Sequence, residues 1–109
     1  MKEEVTLYMS PDEIREVIRE NVFDPELGYN VVDLGLLYDV EVRGDKDVRL
    51  EMTLTTVGCP LYEQIQADCE RAIKEHFGED VNVEVDFVFD PPWTPEMMSE
   101  EIRAEMGFI

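Results

Sequence analysis

The chain is poor in the residues that most often carry chemistry. Among its 109 residues there is one histidine, one tryptophan and two cysteines. A lone histidine, His76, with Cys59 and Cys69 ten residues apart, cannot assemble an ordinary closed zinc site from one protomer. The same histidine leaves no Ser-His-Asp set, and neither a P-loop nor a GxGxxG stretch occurs. Two cysteines make no disulfide framework, and a cytosolic chain keeps them reduced. No run of 18 apolar residues is present, so no membrane span is expected. Met1-Lys2-Glu3-Glu4-Val5 lacks the basic-then-apolar order of a signal peptide, which points to the cytoplasm. Basic residues are also scarce: 9 against 27 acidic ones, a formal charge of −18. Phosphate backbones and anionic membrane surfaces repel such a chain, so neither nucleic acid nor membrane is an expected partner. Acidity of this degree suits solubility, cation binding or a basic partner, and equally a saline cytoplasm.

What is present reads as one α/β (α+β) domain over residues 1–109, with 44% hydrophobic and 33% charged residues. Ser10-Pro11-Asp12-Glu13 opens a first helix as a capping box with proline at the first helical position, and Ile14, Val17 and Ile18 give it an apolar stripe. Pro25 and Gly28 break residues 23–30 into a loop. Residues 36–43 alternate, with Leu36, Tyr38, Val40 and Val42 on one face. So do residues 48–55, with Arg49, Glu51, Thr53 and Thr55 on the polar face. Joined by Gly44-Asp45-Lys46-Asp47, these runs predict an antiparallel hairpin. A second helix is expected from Pro60 to about Phe77, ended by Gly78. A third strand follows over residues 81–89, then a Pro-rich loop at residues 91–95 and a short helix through Ile102 and Met106. The order α-β-β-α-β-α, with one apolar face per strand, predicts a two-layer sandwich around a three-stranded mixed sheet covered by helices on one side.

Two places depart from this plain scaffold. Cys59, in Thr55-Thr56-Val57-Gly58-Cys59-Pro60, falls at a strand-to-helix junction. The positive end of the helix dipole there favours the thiolate, which is both nucleophile and metal ligand. The alternative is a small residue filling a helix cap. Cys69 is expected to be a structural cysteine, a buried small hydrophobe on the stripe of the same helix. The second place is the acidic loop with Asp24, Glu26 and Asp33. These carboxylates could help hold a metal beside a thiolate, or cap turns, the reading preferred for Asp33. Carboxylates alone would raise the Cys59 pKa, whereas a bound metal would stabilise both groups. Phe87, Phe89 and Trp93 read as core packing or as a partner surface, and His76, Met97 and Met98 as ordinary structure.

Asp24-Pro25-Glu26, Val31-Val32-Asp33-Leu34-Gly35-Leu36-Leu37-Tyr38, Met52-Thr53-Leu54-Thr55, Gly58-Cys59-Pro60 and Pro92-Trp93-Thr94-Pro95-Glu96-Met97-Met98-Ser99 together resemble the successive signatures of the PaaD/SufT family. The resemblance implies the iron–sulfur cluster assembly domain fold and a non-enzymatic role in building clusters or delivering them to apo client proteins, in company with the assembly machinery. It implies Cys59 as the reactive cysteine, with a supporting polar cluster of Asp24, Glu26, Thr55 and Thr56 and, in the same loop, Asp33. Val57 stands where many relatives carry proline before the Gly-Cys-Pro step. The implied cofactor is a transient iron–sulfur cluster or iron, none of it tightly held by the isolated domain. One cysteine cannot supply the four ligands a cluster usually takes, so a second protomer in a homodimer, a client or a small thiol must share the task. Two alternatives accompany this reading: an adaptor that never touches metal, and an accessory subunit of a ring-oxidising (phenylacetyl-CoA) oxygenase.

Overall fold

The structure, a computed structural model, describes residues 10–44, 46–55 and 62–107. The first helix, α1 (Pro11–Asn21), starts where the cap chemistry puts it: Ser10 Oγ accepts from the Glu13 N–H at 3.1 Å, and Pro11 occupies the first helical position. Ile14, Val17 and Ile18 turn inward. The hairpin follows as β1 (Leu37–Arg43) and β2 (Asp47–Met52), then α2 (Tyr62–Phe77), β3 (Asn82–Phe87), a 3₁₀ turn (Pro95–Met97) and α3 (Glu100–Glu105). Gly78 ends α2 with φ +132° and donates to the Lys74 carbonyl at 2.9 Å, a helix stop that glycine adopts without strain. Asp45 in the hairpin turn and the expected α2 start at Pro60 lie outside the described residues.

The sheet order is β1-β2-β3, with β1 and β2 antiparallel and β2 and β3 parallel. The α2 crossover makes that parallel return possible. Helices α1 and α2 pack on each other and on one sheet face. Ile14, Ile18, Leu50, Met52, Ile65, Cys69 and Ile73 fill the space between, each fully buried. The opposite face is charged. Its cross-strand rows are Arg43–Asp47–Asn82, Glu41–Arg49–Glu84 and Asp39–Glu51–Asp86.

Two details of the alternation differ from expectation. Leu37 pairs with Met52 but Asp39 pairs with Glu51, so Tyr38 is the extra residue of a β-bulge. The bulge shifts the phase: Leu37 and Val40 are buried toward the helices, and Tyr38 leaves their face. Thr53, expected on the polar face, is fully buried. It follows β2 directly, and its N–H donates to the Leu36 carbonyl at 2.8 Å. The last twenty residues bond to residues 33–38. Tyr38 Oη donates to the Pro91 carbonyl at 2.8 Å, Trp93 Nε1 to the Leu34 carbonyl at 2.7 Å, and the Ser99 N–H to the Asp33 carbonyl at 2.7 Å. Met98 and Ile102 bury themselves in the same core. The C-terminal segment thus packs along residues 33–38, beside the start of β1.

Candidate functional site

Of the expected site residues, Asp24, Glu26 and Asp33 fall within residues 22–36 and Thr55 just after β2. Backbone hydrogen bonds hold this region: Val31 N–H to the Val22 carbonyl at 3.1 Å, Leu36 N–H to the Val31 carbonyl at 3.0 Å, and Thr53 N–H to the Leu36 carbonyl. Phe23 and Asn30 bridge across the base of the intervening turn. Asp24 is buried and spends its side chain on that turn. Its Oδ1 accepts from the Glu26 N–H at 2.8 Å and the Leu27 N–H at 3.1 Å, while its carbonyl accepts from Gly28. Gly28, at φ +79°, completes the reversal. Burying a carboxylate is tolerable here because backbone donors satisfy it.

Glu26 lies exposed on the outer side of the turn. Asp33 belongs to a second cluster. Its Oδ2 accepts from Asn30 Nδ2 at 2.9 Å, its Oδ1 faces Arg19 Nε at 3.4 Å, and its N–H donates to Asn30 Oδ1 at 2.8 Å. The cap of this turn is therefore Asn30, with Asp33 as its counterpart. The Asp33 carboxylate, then Glu16, raises the pKa of the Arg19 guanidinium. Among the described residues no three of His, Cys, Asp and Glu come close enough to hold a metal ion. Asp24, Glu26 and Asp33 do not form one ligand set on their own. Thr55 is half-buried just after β2; Thr56 and Cys59 lie outside the described residues.

Thr53 was not legible as a site residue. Its Oγ1 is buried and has no hydrogen-bond partner among the described residues, two positions before Thr55. Buried hydroxyls are nearly always paired, so this one calls for a partner beyond the described residues, such as a water or an ion, or else stores strain. Strand alternation points away from it, because it assigns Thr53 to the polar face.

Cys69 contrasts with this region. It is fully buried, with Sγ 3.8 Å from Met52 Sδ. Burial first, then Asp68 and Glu70, pushes its thiol up to about 12, so it stays protonated and unreactive near neutrality. Trp93 is half-buried against the core with its N–H engaged, Phe87 is half-buried, and Phe89 is 38% exposed. A cavity of about 410 Å³, lined by Arg43, Asp47, Arg49, Asn82 and Glu84 among others, lies at the far end of β2 from Thr53. No helix among the described residues is long and apolar enough to cross a membrane.

Residues 11–85 match the profile of the family described as iron-sulfur cluster assembly protein. Over 88 residues the chain is 42% identical to an Fe-S protein maturation auxiliary factor of Porphyromonas gingivalis, covering 81% of this chain and 83% of that one. The Fe-S protein maturation auxiliary factor SufT of Staphylococcus aureus is 41% identical over 86 residues, covering 79% and 97%. Among solved structures, a domain of unknown function from Bacillus anthracis superposes with a TM-score of 0.82 at 32% identity, covering 91% of this chain and 92% of the other.

Proposed function

Because the chain belongs to the iron–sulfur cluster assembly protein family, we propose that it is a maturation factor, helping to build clusters or to deliver them to apo client proteins. The observation that carries this is the family match over residues 11–85, joined to relatives of similar length named as maturation factors. Cys59 is the working thiol in this reading. The cluster is cargo, held briefly through a thiolate–iron bond and passed on when a client thiolate replaces it at the iron. That exchange moves no electrons: the client sulfur bonds to iron as the Cys59–iron bond breaks, and the proton the client thiol gives up ends on the departing Cys59 sulfur. One cysteine provides one of about four ligands, so a client, a small thiol or a second protomer supplies the rest.

The loop of residues 22–36 suits a scaffold role. Asp24 organises a turn through backbone donors, Asp33 and Asn30 lock the next, and Thr53 and Thr55 stand at the strand end that leads toward Cys59. Glu26 is the exposed carboxylate of this region and the natural contact for a cationic group on a partner. We place the protein in the cytoplasm, working without catalytic turnover of its own.

The test is anaerobic reconstitution with iron and sulfide, followed by transfer to an apo client and by client maturation in cells. Cys59→Ser is expected to abolish transfer while leaving the thermal midpoint unchanged. Transfer and maturation at wild-type levels would remove the thiol role and leave the adaptor reading.

A further inference from the structure

The outer edge of β3 is a regular strand edge without a partner among the described residues. Its backbone orientation follows from two hydrogen bonds. Asn82 donates to the Lys46 carbonyl and Val88 to the Met52 carbonyl, each at 2.7 Å, so even-numbered residues bond inward to β2. By alternation, Val83, Val85 and Phe87 turn their N–H and C=O groups outward. Exposed edges of this kind are usually defended by a bulge, proline, shortness or charged side chains, lysine above all; the charges on β3, Glu84 and Asp86, are acidic and would repel an acidic strand but not a basic one. The β1 edge has its bulge at Tyr38. The six residues of β3 have neither bulge, proline nor lysine.

The two faces flanking this edge differ in chemistry. Toward the helices, the side chains of Val83, Val85 and Phe87 are only half-buried. Tyr62, 43% exposed at the start of α2, meets Phe87 edge-on with ring centroids 5.8 Å apart. The apolar stripe therefore reaches the edge uncovered. Toward the open face, the edge carries Glu84 and Asp86, and behind them stand Asp39, Glu41, Asp47 and Glu51 with only Arg43 and Arg49 for balance. Six carboxylates against two guanidinium groups leave this face at −4. Arg49 is drawn in three directions, to Asp86, Glu51 and Glu41, so one cation serves three anions.

We propose that the β3 edge is a docking site for an extended segment of a partner protein whose residues alternate apolar and basic. Such a strand would bond to the outward groups of Val83, Val85 and Phe87. Its apolar residues would extend the stripe beside Tyr62, and its lysines or arginines would stand over Glu84 and Asp86. A second copy of this chain does not fit: two β3 edges would bring Glu84 and Asp86 of each against their like, on molecules of −18 each. This inference rests on strand geometry and charge, and it stands or falls separately from the role of Cys59.

The test uses the full ¹⁵N-labelled chain and a blocked eight-residue peptide of alternating lysine and valine. The peptide is expected to shift the amide resonances of Val83, Val85 and Phe87 and to slow their hydrogen exchange. A glutamate–valine peptide of the same pattern should bind at least about tenfold more weakly, from loss of two cross-strand charge pairs. Glu84→Lys should weaken the lysine peptide about fivefold. Val85→Pro removes an outward N–H that β2 does not use and should abolish binding with the fold kept, as judged by circular dichroism. Should the proline variant unfold, Glu84→Lys still decides the matter. Equal binding of both peptides, or of a lysine–valine peptide with the alternation scrambled, overturns the proposal. So does slow exchange of the three amides in the free chain, which means that another part of the chain already covers the edge. Protection that grows with protein concentration overturns it in favour of self-association.

Discussion

Replacing Thr53 by valine tests the central oddity of the site. The side chain is fully buried and its hydroxyl has no partner among the described residues. An unpaired buried hydroxyl costs roughly 1–3 kcal/mol against an apolar group of the same shape. Valine keeps the branched shape that a strand end accepts, so Thr53→Val should raise stability by about 1–2 kcal/mol. For a chain of this size that is a rise of roughly 4–8 °C in the thermal midpoint, and a matching rise in the urea midpoint at unchanged slope. Thr53→Ser separates the hydroxyl from the methyl group: it keeps the unpaired oxygen, opens a small void, and should lose about 1 kcal/mol. Calorimetry and urea titration on the three proteins suffice. A drop of 1 kcal/mol or more for the valine variant refutes the reasoning, because it shows that the hydroxyl is already bonded. Transfer assays on the same proteins then read function: a stabilised variant that transfers slowly identifies the hydroxyl as a group kept unpaired for the cargo or its carrier residues.

Gly35→Ala should be among the more damaging small substitutions. Gly35 has φ +82°, and an added Cβ would lie 2.4 Å from the Met97 carbonyl oxygen. The left-handed backbone costs alanine about 1–2 kcal/mol, and displacing the Met97 backbone adds to it, so a total near 3 kcal/mol and a red-shifted Trp93 emission are expected. Trp93→Phe loses the bond to the Leu34 carbonyl and should cost about 1–2 kcal/mol in urea denaturation. Alkaline stability should carry the signature of Cys69. The folded state keeps its proton up to about 12 while the unfolded chain releases it near 9, so stability present at neutral pH is lost as pH rises through that window. The slope is about 1.4 kcal/mol per pH unit and the full loss at most about 4 kcal/mol. Cys69→Ala, less stable at pH 7, should show a flatter profile between pH 9 and 11, and parallel profiles would show that the thiol is not titrating there.

Local chemistry was readable wherever it acts locally. The Ser10 cap, Pro11, the apolar spacing of α1 and α2 and the Gly78 stop depend on residues within one turn, and the structure has them where the sequence puts them. The hairpin and the parallel return of β3 follow from alternation and from the length of the α2 crossover. The bulge at Tyr38 was hidden because Leu36-Leu37-Tyr38 is apolar throughout and fits either phase. The burial of Thr53 was hidden for a different reason: alternation puts it on the polar face, and only its tertiary surroundings, beginning with the bond to Leu36, bury it. Among the acidic residues, the sequence preferred a cap for Asp33 and left Asp24 and Glu26 unranked, whereas Asp24 caps its turn and Asn30 caps the next. Backbone donors surround Asp24, Asn30 and Arg19 engage Asp33, and Glu26 faces outward. Cys59 and Thr56, on which the family resemblance turns, lie outside the described residues.

The C-terminal segment has a consequence for where this domain can be cut. The family match stops at residue 85, inside β3, yet the hydrogen bonds that tie residues 33–38 to the C-terminal segment involve Pro91, Trp93 and Ser99, and the apolar anchors are Met98 and Ile102. A boundary drawn by sequence likeness therefore severs the strand and removes the partners of Asp33, Leu34 and Tyr38. A boundary drawn by packing falls after α3. Anyone grafting this unit into a larger protein, or trimming it for study, must carry the chain through Met106, or lose the anchors that Met98, Ile102 and Met106 set in the core.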